Sequence, residues 1–222
     1  MAAAKEVPIQ IFQIPSRFNL GIMLQHRVTE DDIYTIFRHY ALNGGGEMTL
    51  ITVAANSGGI RVLKIKVNGL GFCKCPTPPT DVERYSSYSN ALSAFLADSS
   101  AVMLAISRNW ISVQQSIRAF LEDYYSSYSE ESLGADMISS VSESIENIGY
   151  SKGQPCKIIG FTDYVDNPKI CPKSSMQLPR TWEKCTFYAI TPKPSSKIGV
   201  VEATYFQHFD DTTLANIFGY AK

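Results

Sequence analysis

The chain has 222 residues, 45% of them hydrophobic and only 18% charged, with 20 Lys and Arg against 21 Asp and Glu. That length buries one good core, and the composition is that of a folded chain. A net charge of −1, with no basic cluster beyond two neighbours, excludes a nucleic-acid or anionic-lipid footprint. It also weakens the repulsion that keeps proteins apart.

Residues 7–14 alternate around Ile9, Ile11 and Ile14 between Pro8 and Pro15, the pattern of an edge strand. Leu20, Ile22 and Leu24 continue in strand period through 20–28 and are expected to pair with it. Thr29-Glu30-Asp31-Asp32 reads as a helix start, a hydroxyl N-cap followed by carboxylates where the helix dipole favours them. Ile33, Ile36, Phe37 and Tyr40 then form one apolar stripe, stopped by Gly44-Gly45-Gly46. Residues 48–55 and 60–67 flank Asn56-Ser57-Gly58-Gly59 and read as a β-hairpin. Three prolines in 76–79 close this first part.

Thr80 and Glu83 have capping-box spacing, and helical periodicity follows through Val82, Tyr85, Leu92, Phe95 and Leu96. Beyond Asp98-Ser99-Ser100 a second helix is expected over 101–126, roughly 39 Å long at 1.5 Å per residue. A third carries Leu133, Met137, Ile138, Val141, Ile145 and Ile148 and ends at Gly149. The last two are expected to form an antiparallel helical hairpin. From 156 the chain reverts to strands, 156–165, 184–190 and 198–209, with a short tail helix over 212–220.

The expected fold is therefore α+β and one domain, 1–222. Residues 1–79 are β-rich with one helix, 80–149 are a helical insert and 150–222 are β-rich. A mixed or antiparallel sheet joins strands from both ends of the chain, and the helical hairpin covers one face.

The chemistry is sparse. Gly44-Gly45-Gly46 follows a helix instead of preceding one, and Ser57-Gly58-Gly59 sits in a turn, so no phosphate-binding loop is presented. Cys73, Cys75, Cys156, Cys171 and Cys185 are odd in number and irregularly spaced and read as idle thiols. Cys73 and Cys75 are too close for a zinc knuckle, so no metal and no cofactor is expected. The start of the chain shows no apolar leader, and no run approaches ~18 apolar residues. A reducing, intracellular setting, the cytoplasm first, and no membrane span are the corresponding expectations.

His39 falls on the polar side of the first helix beside Arg38, and His26 and His208 fall near strand ends. Each reads as solvated or structural, the alternative being a cysteine–histidine enzyme built on His26 or His208. Asp163 and Asp166 read as a polar strand-end turn and Glu202 as an edge-strand residue facing solvent.

Tyr and Ser are in surplus, and Tyr-Ser-Ser-Tyr-Ser occurs at 85–89 and again at 125–129. Tyr85, Tyr88, Tyr124, Tyr125 and Tyr128 are the candidate contact residues. Tyrosine rings supply area at low entropy cost and serines supply adaptable hydrogen bonds. Tyr124, Tyr125 and Tyr128 are expected at an exposed helical corner. The function these features favour is a non-enzymatic structural or interaction protein that associates with itself or with another protein. In strand rhythm alone, Gly160-Phe161-Thr162 through Phe209-Asp210 resembles the last strands of START-type lipid-transfer domains. That resemblance implies an apolar cavity and a small hydrophobic ligand, although the long closing helix of that family has no counterpart here.

Overall fold

The structure is a computed structural model that describes residues 16–53, 59–70, 78, 85–126, 137–148, 155–165, 184–192 and 200–219. The expected strand at 7–14, the capping box at 80–83, Tyr128, Asp166 and Cys73, Cys75 and Cys171 lie outside the described residues. In chain order the elements are β1 (Asn19–Leu24), α1 (Glu30–Leu42), β2 (Gly45–Thr52), β3 (Val62–Asn68), α2 (Tyr85–Ser126), α3 (Met137–Asn147), β4 (Cys156–Phe161), β5 (Cys185–Ile190), β6 (Ala203–Phe206) and α4 (Asp211–Phe218). The class is α+β, and one six-stranded sheet in the order β3-β2-β1-β4-β5-β6 unites strands from both ends of the chain.

Helix α1 begins as its sequence dictates. Thr29 accepts from the Asp32 amide at 3.1 Å, and Asp32 accepts from the Thr29 amide at 2.8 Å, a reciprocal capping box. The glycine run does more than stop the helix. Gly44, Gly45 and Gly46 all take positive φ (100°, 58° and 128°), which swings the chain directly into β2. The expected hairpin forms as β2 against β3, antiparallel, with Ile51 opposite Val62 and Gly45 opposite Asn68.

The sheet is mixed, one of the two arrangements expected, and β2–β3 is its antiparallel pair. β1 lies parallel between β2 and β4, and β4, β5 and β6 are parallel in turn. Parallel strands are buried on both faces, so their sequences run apolar without alternating. Leu20-Gly21-Ile22-Met23-Leu24 is such a run, buried throughout.

The central helices therefore do not form a hairpin on one face. Leu20, Ile22, Leu24 and Ile159 point to the side covered by α1, α2 and α4. Met23, Ile158 and Phe187 point to the other side, against Met137, Val141 and Ile145 of α3. Gly21 makes room on that side, since a Cβ there would collide with Ile148. A sheet with two apolar faces needs cover on both, and the two central helices divide that task.

The helices expected on either side of Asp98-Ser99-Ser100 are one element. Helix α2 runs 42 residues without Gly or Pro, about 63 Å at 1.5 Å per residue. Ser100 and Ser107 bond within it, donating to the carbonyls of Leu96 and Met103 at 2.9 and 3.0 Å.

Helix α4 is capped by the Asp210 carboxylate on the Thr213 amide at 2.7 Å, which holds that carboxyl below its usual range. It ends at Gly219 in the left-handed region. Its position decides between the two readings of His39, which is structural and not solvated. His39 is 8% exposed, stacked on Phe218 with 6.0 Å between centroids, and 3.0 Å from the Asp211 carboxylate. Burial lowers its pKa from the usual 6.5 against the opposing pull of Asp211, so the contact at neutral pH is a hydrogen bond to a neutral ring.

The unfolded chain consequently takes up that proton first. Stability from His39 is complete above about pH 6.5 and falls as pH drops below it toward the folded value. Urea midpoints should decline between about pH 7.5 and about pH 5.5, and His39→Gln should flatten that decline. An unchanged slope in the variant would assign the effect elsewhere. The capping carboxylate of Asp210, lowered from 3.8, loses its contribution only at more acid pH.

The thiol reading also needs correction at one pair. Cys156 and Cys185, the first residues of β4 and β5, are register partners with Cα atoms 4.5 Å apart and are joined by a disulfide. Such bonds persist in oxidising surroundings, so this pair stands against five idle thiols.

Candidate functional site

Parallel strands bring all their carboxyl ends to one edge of the sheet, and the loops leaving β1, β4, β5 and β6 enclose a cleft of about 620 Å³ there. His26 and Arg27 enter from the end of β1, and Phe161 and Asp163 from β4. β5 contributes Ile190 and Thr191; Gln207, His208 and Phe209 follow β6. Phe161 and Phe209 meet edge to face with centroids 5.3 Å apart. The cleft thus unites two of the three histidines, from opposite ends of the chain. Sequence reasoning places each near a strand end but has no means of joining them, because strand direction and order are not local properties.

Among the described residues the cleft contains no cysteine–histidine pair. Cys156 and Cys185 start their strands and lie at the opposite edge of the sheet. Among the described residues no group of three or more His, Cys, Asp or Glu is placed to hold a metal ion. Asp163 is the strand-end turn residue expected, its carboxylate accepting from the Val165 amide at 3.1 Å. Glu202 is exposed just before β6, as expected of an edge strand.

Tyr124 and Tyr125 are corrected as an exposed corner. Tyr124 is 7% exposed and donates to the Leu24 carbonyl at 2.9 Å. Tyr125 is half-buried; its hydroxyl accepts from the Val28 amide at 2.6 Å and donates to the Val28 carbonyl at 2.8 Å. Together they clamp the loop from β1 to α1 that carries His26 and Arg27, and the Arg27 guanidinium lies over the Tyr125 ring at 5.5 Å. Their hydroxyls satisfy buried backbone groups instead of meeting a partner. Tyr88 is half-buried on α2, and Tyr85 is its first residue.

The exposed apolar surface lies elsewhere on the same helix. Among the described residues, the large hydrophobic ones exposed to solvent are Leu96 (56%), Met103, Leu104 and Ile111 (68%), all of α2, and Tyr205. Among the described side chains, none of α2 before Val102 joins either apolar cluster of the core. The neighbouring stripe of the helix, Val102, Ile106, Trp110, Ile117 and Leu121, packs on α1 and the sheet. Arg118 pairs with Glu30 at 2.9 Å and holds that carboxyl below its usual range, fixing α2 to the first turn of α1.

No family model, no curated protein and no solved structure matches this chain. Function is therefore read from these two surfaces alone.

Proposed function

We propose that the protein is a structural subunit that self-associates, two copies pairing antiparallel along α2. The observation that carries this is the self-complementary order of the exposed stripe. About a centre between Met103 and Leu104, Leu96 is the mirror position of Ile111, Ser100 of Ser107, and Met103 of Leu104. A twofold axis places each residue of such a stripe against its counterpart, which is the requirement of an isologous interface. The stripe carries no charge of either sign, so a second copy meets no repulsion. Ser100 and Ser107, satisfied by their own helix, are small and let two backbones approach to the 8–10 Å typical of packed helices.

The segment Ser87–Ser126 is also long and apolar enough in part to cross a membrane. Against that use stand the buried residues from Val102 to Leu121 on its inner stripe, which hold it to the sheet.

Sedimentation of the full chain at micromolar concentration should show a dimer that persists at high salt. Ile111→Glu should dissociate it, and adding Leu96→Lys should restore it. Antiparallel pairing sets the introduced ammonium at position 96 of one copy against the introduced carboxylate at position 111 of the other. A wild-type monomer overturns the proposal, and a double variant that stays monomeric overturns the antiparallel register. Association with vesicles in place of dimerisation assigns the stripe to a membrane instead.

A further inference from the structure

The cleft at the carboxyl edge lies where the strand order reverses. From β1 the sheet continues to β2 and β3 on one side, and from β4 to β5 and β6 on the other. Loops leaving the two central strands diverge there, and open parallel sheets hold their ligands in that crevice. Its volume of about 620 Å³ falls within the ~300–1,000 Å³ of small-molecule sites.

The hydrogen-bonding capacity of the walls is lopsided. The Asp32 carboxylate accepts from the Thr29 amide and hydroxyl at 2.8 and 2.7 Å, and that of Asp163 accepts from the Val165 amide. Each acid has one oxygen turned onto its own chain. The side chains of His26, Arg27 and His208 make no hydrogen bond or ion pair with any described residue. Arg27 keeps its planar fork of donors, which fits two oxygens of a carboxylate or phosphate at once. Phe161 and Phe209 form an aromatic wall of the same cleft.

We propose that this cleft binds a small organic anion, a carboxylate or phosphate carried on a flat apolar body. Arg27 grips the anionic group, His26 and His208 flank it, and the phenylalanines receive the body.

The chain's three histidines make the test direct. With full-length protein labelled for histidine ring NMR, phenyl phosphate and benzoate are titrated separately, beside inorganic phosphate, benzyl alcohol and benzylamine. At least one aromatic anion should shift the His26 and His208 resonances in a saturable way and leave His39, held by Asp211 and Phe218, in place. Arg27→Met should weaken that binding ~10-fold or more, the scale of a lost charge-assisted pair. Phe209→Ala should weaken the aromatic anions but not inorganic phosphate. The two aromatic arms decide between phosphate and carboxylate. Benzyl alcohol or benzylamine binding as well as the anions overturns the proposal, as does inorganic phosphate binding as well as phenyl phosphate. No saturable shift at His26 and His208 with either aromatic anion also overturns it. Dimerisation is scored separately by sedimentation, so loss of either proposal leaves the other standing.

Discussion

Gly69→Ala is expected to destabilise the chain by ~3 kcal/mol or more, the upper end of what overpacking costs. A Cβ on Gly69 would land on the carbonyl of Gly44, with the Gly44 carbon and Cα immediately behind it. Those atoms are backbone, fixed between the end of α1 and the start of β2, and no rotamer change can clear them. The Leu70 amide donates to the Ala41 carbonyl at 2.9 Å, tying the same corner to α1. Relief therefore means displacing the hairpin from the helix. Gly219→Ala is the control: its Cβ meets nothing within 4 Å, and only its φ of 74° opposes the change, at about 1–2 kcal/mol. Urea unfolding with constant slope measures both. Equal losses would mean that the corner relaxes and that the close approach is not what holds it.

Trp110→Ala should cost about 3–5 kcal/mol, the range for emptying a buried aromatic site. Trp110 is 7% exposed and sits between Tyr34 and Phe37 of α1, with ring centroids 5.1 and 5.3 Å away. It is the largest side chain joining α2 to the body, and α1 offers nothing to fill the space. A domain with the usual ~5–15 kcal/mol of stability would lose much of it. Gln115→Ala, on the exposed side of the same helix, should stay within ~0.5 kcal/mol. The loss also bears on assembly. If α2 comes away from α1, the stripe from Leu96 to Ile111 is no longer held on a rigid body, and dimerisation should weaken although no interface residue has changed. A stable Trp110→Ala variant with undiminished dimerisation would show that α2 does not need this anchor.

Much of the local structure is legible in the sequence because local rules decide it. The Thr29 N-cap, the Ile33-Ile36-Phe37-Tyr40 stripe and the β2–β3 hairpin each follow from residues a few positions apart. Sequence reasoning fails where it reads serine as punctuation. Asp98-Ser99-Ser100 has the look of a boundary, but Ser100 donates to its own helix and the helix runs through. It fails also with the tyrosines, since periodicity tells which residues share a face but not what that face meets. Tyr124 and Tyr125 turn inward to hold the β1–α1 loop, while Leu96 and Ile111, unremarkable in the sequence, face solvent.

What the sequence determined by itself was the α+β class, most element positions, and a chain low in charge whose uncharged polar and aromatic residues gather on helices. Only the tertiary structure decided that five of the strands run parallel, that α2 and α3 take opposite faces of the sheet, and that His26 and His208 share one cleft. The physical reason is the reach of the forces involved. Caps, turns and stripes are set by contacts within a few residues, whereas strand direction and order depend on how apolar faces far apart in the chain can all be covered at once.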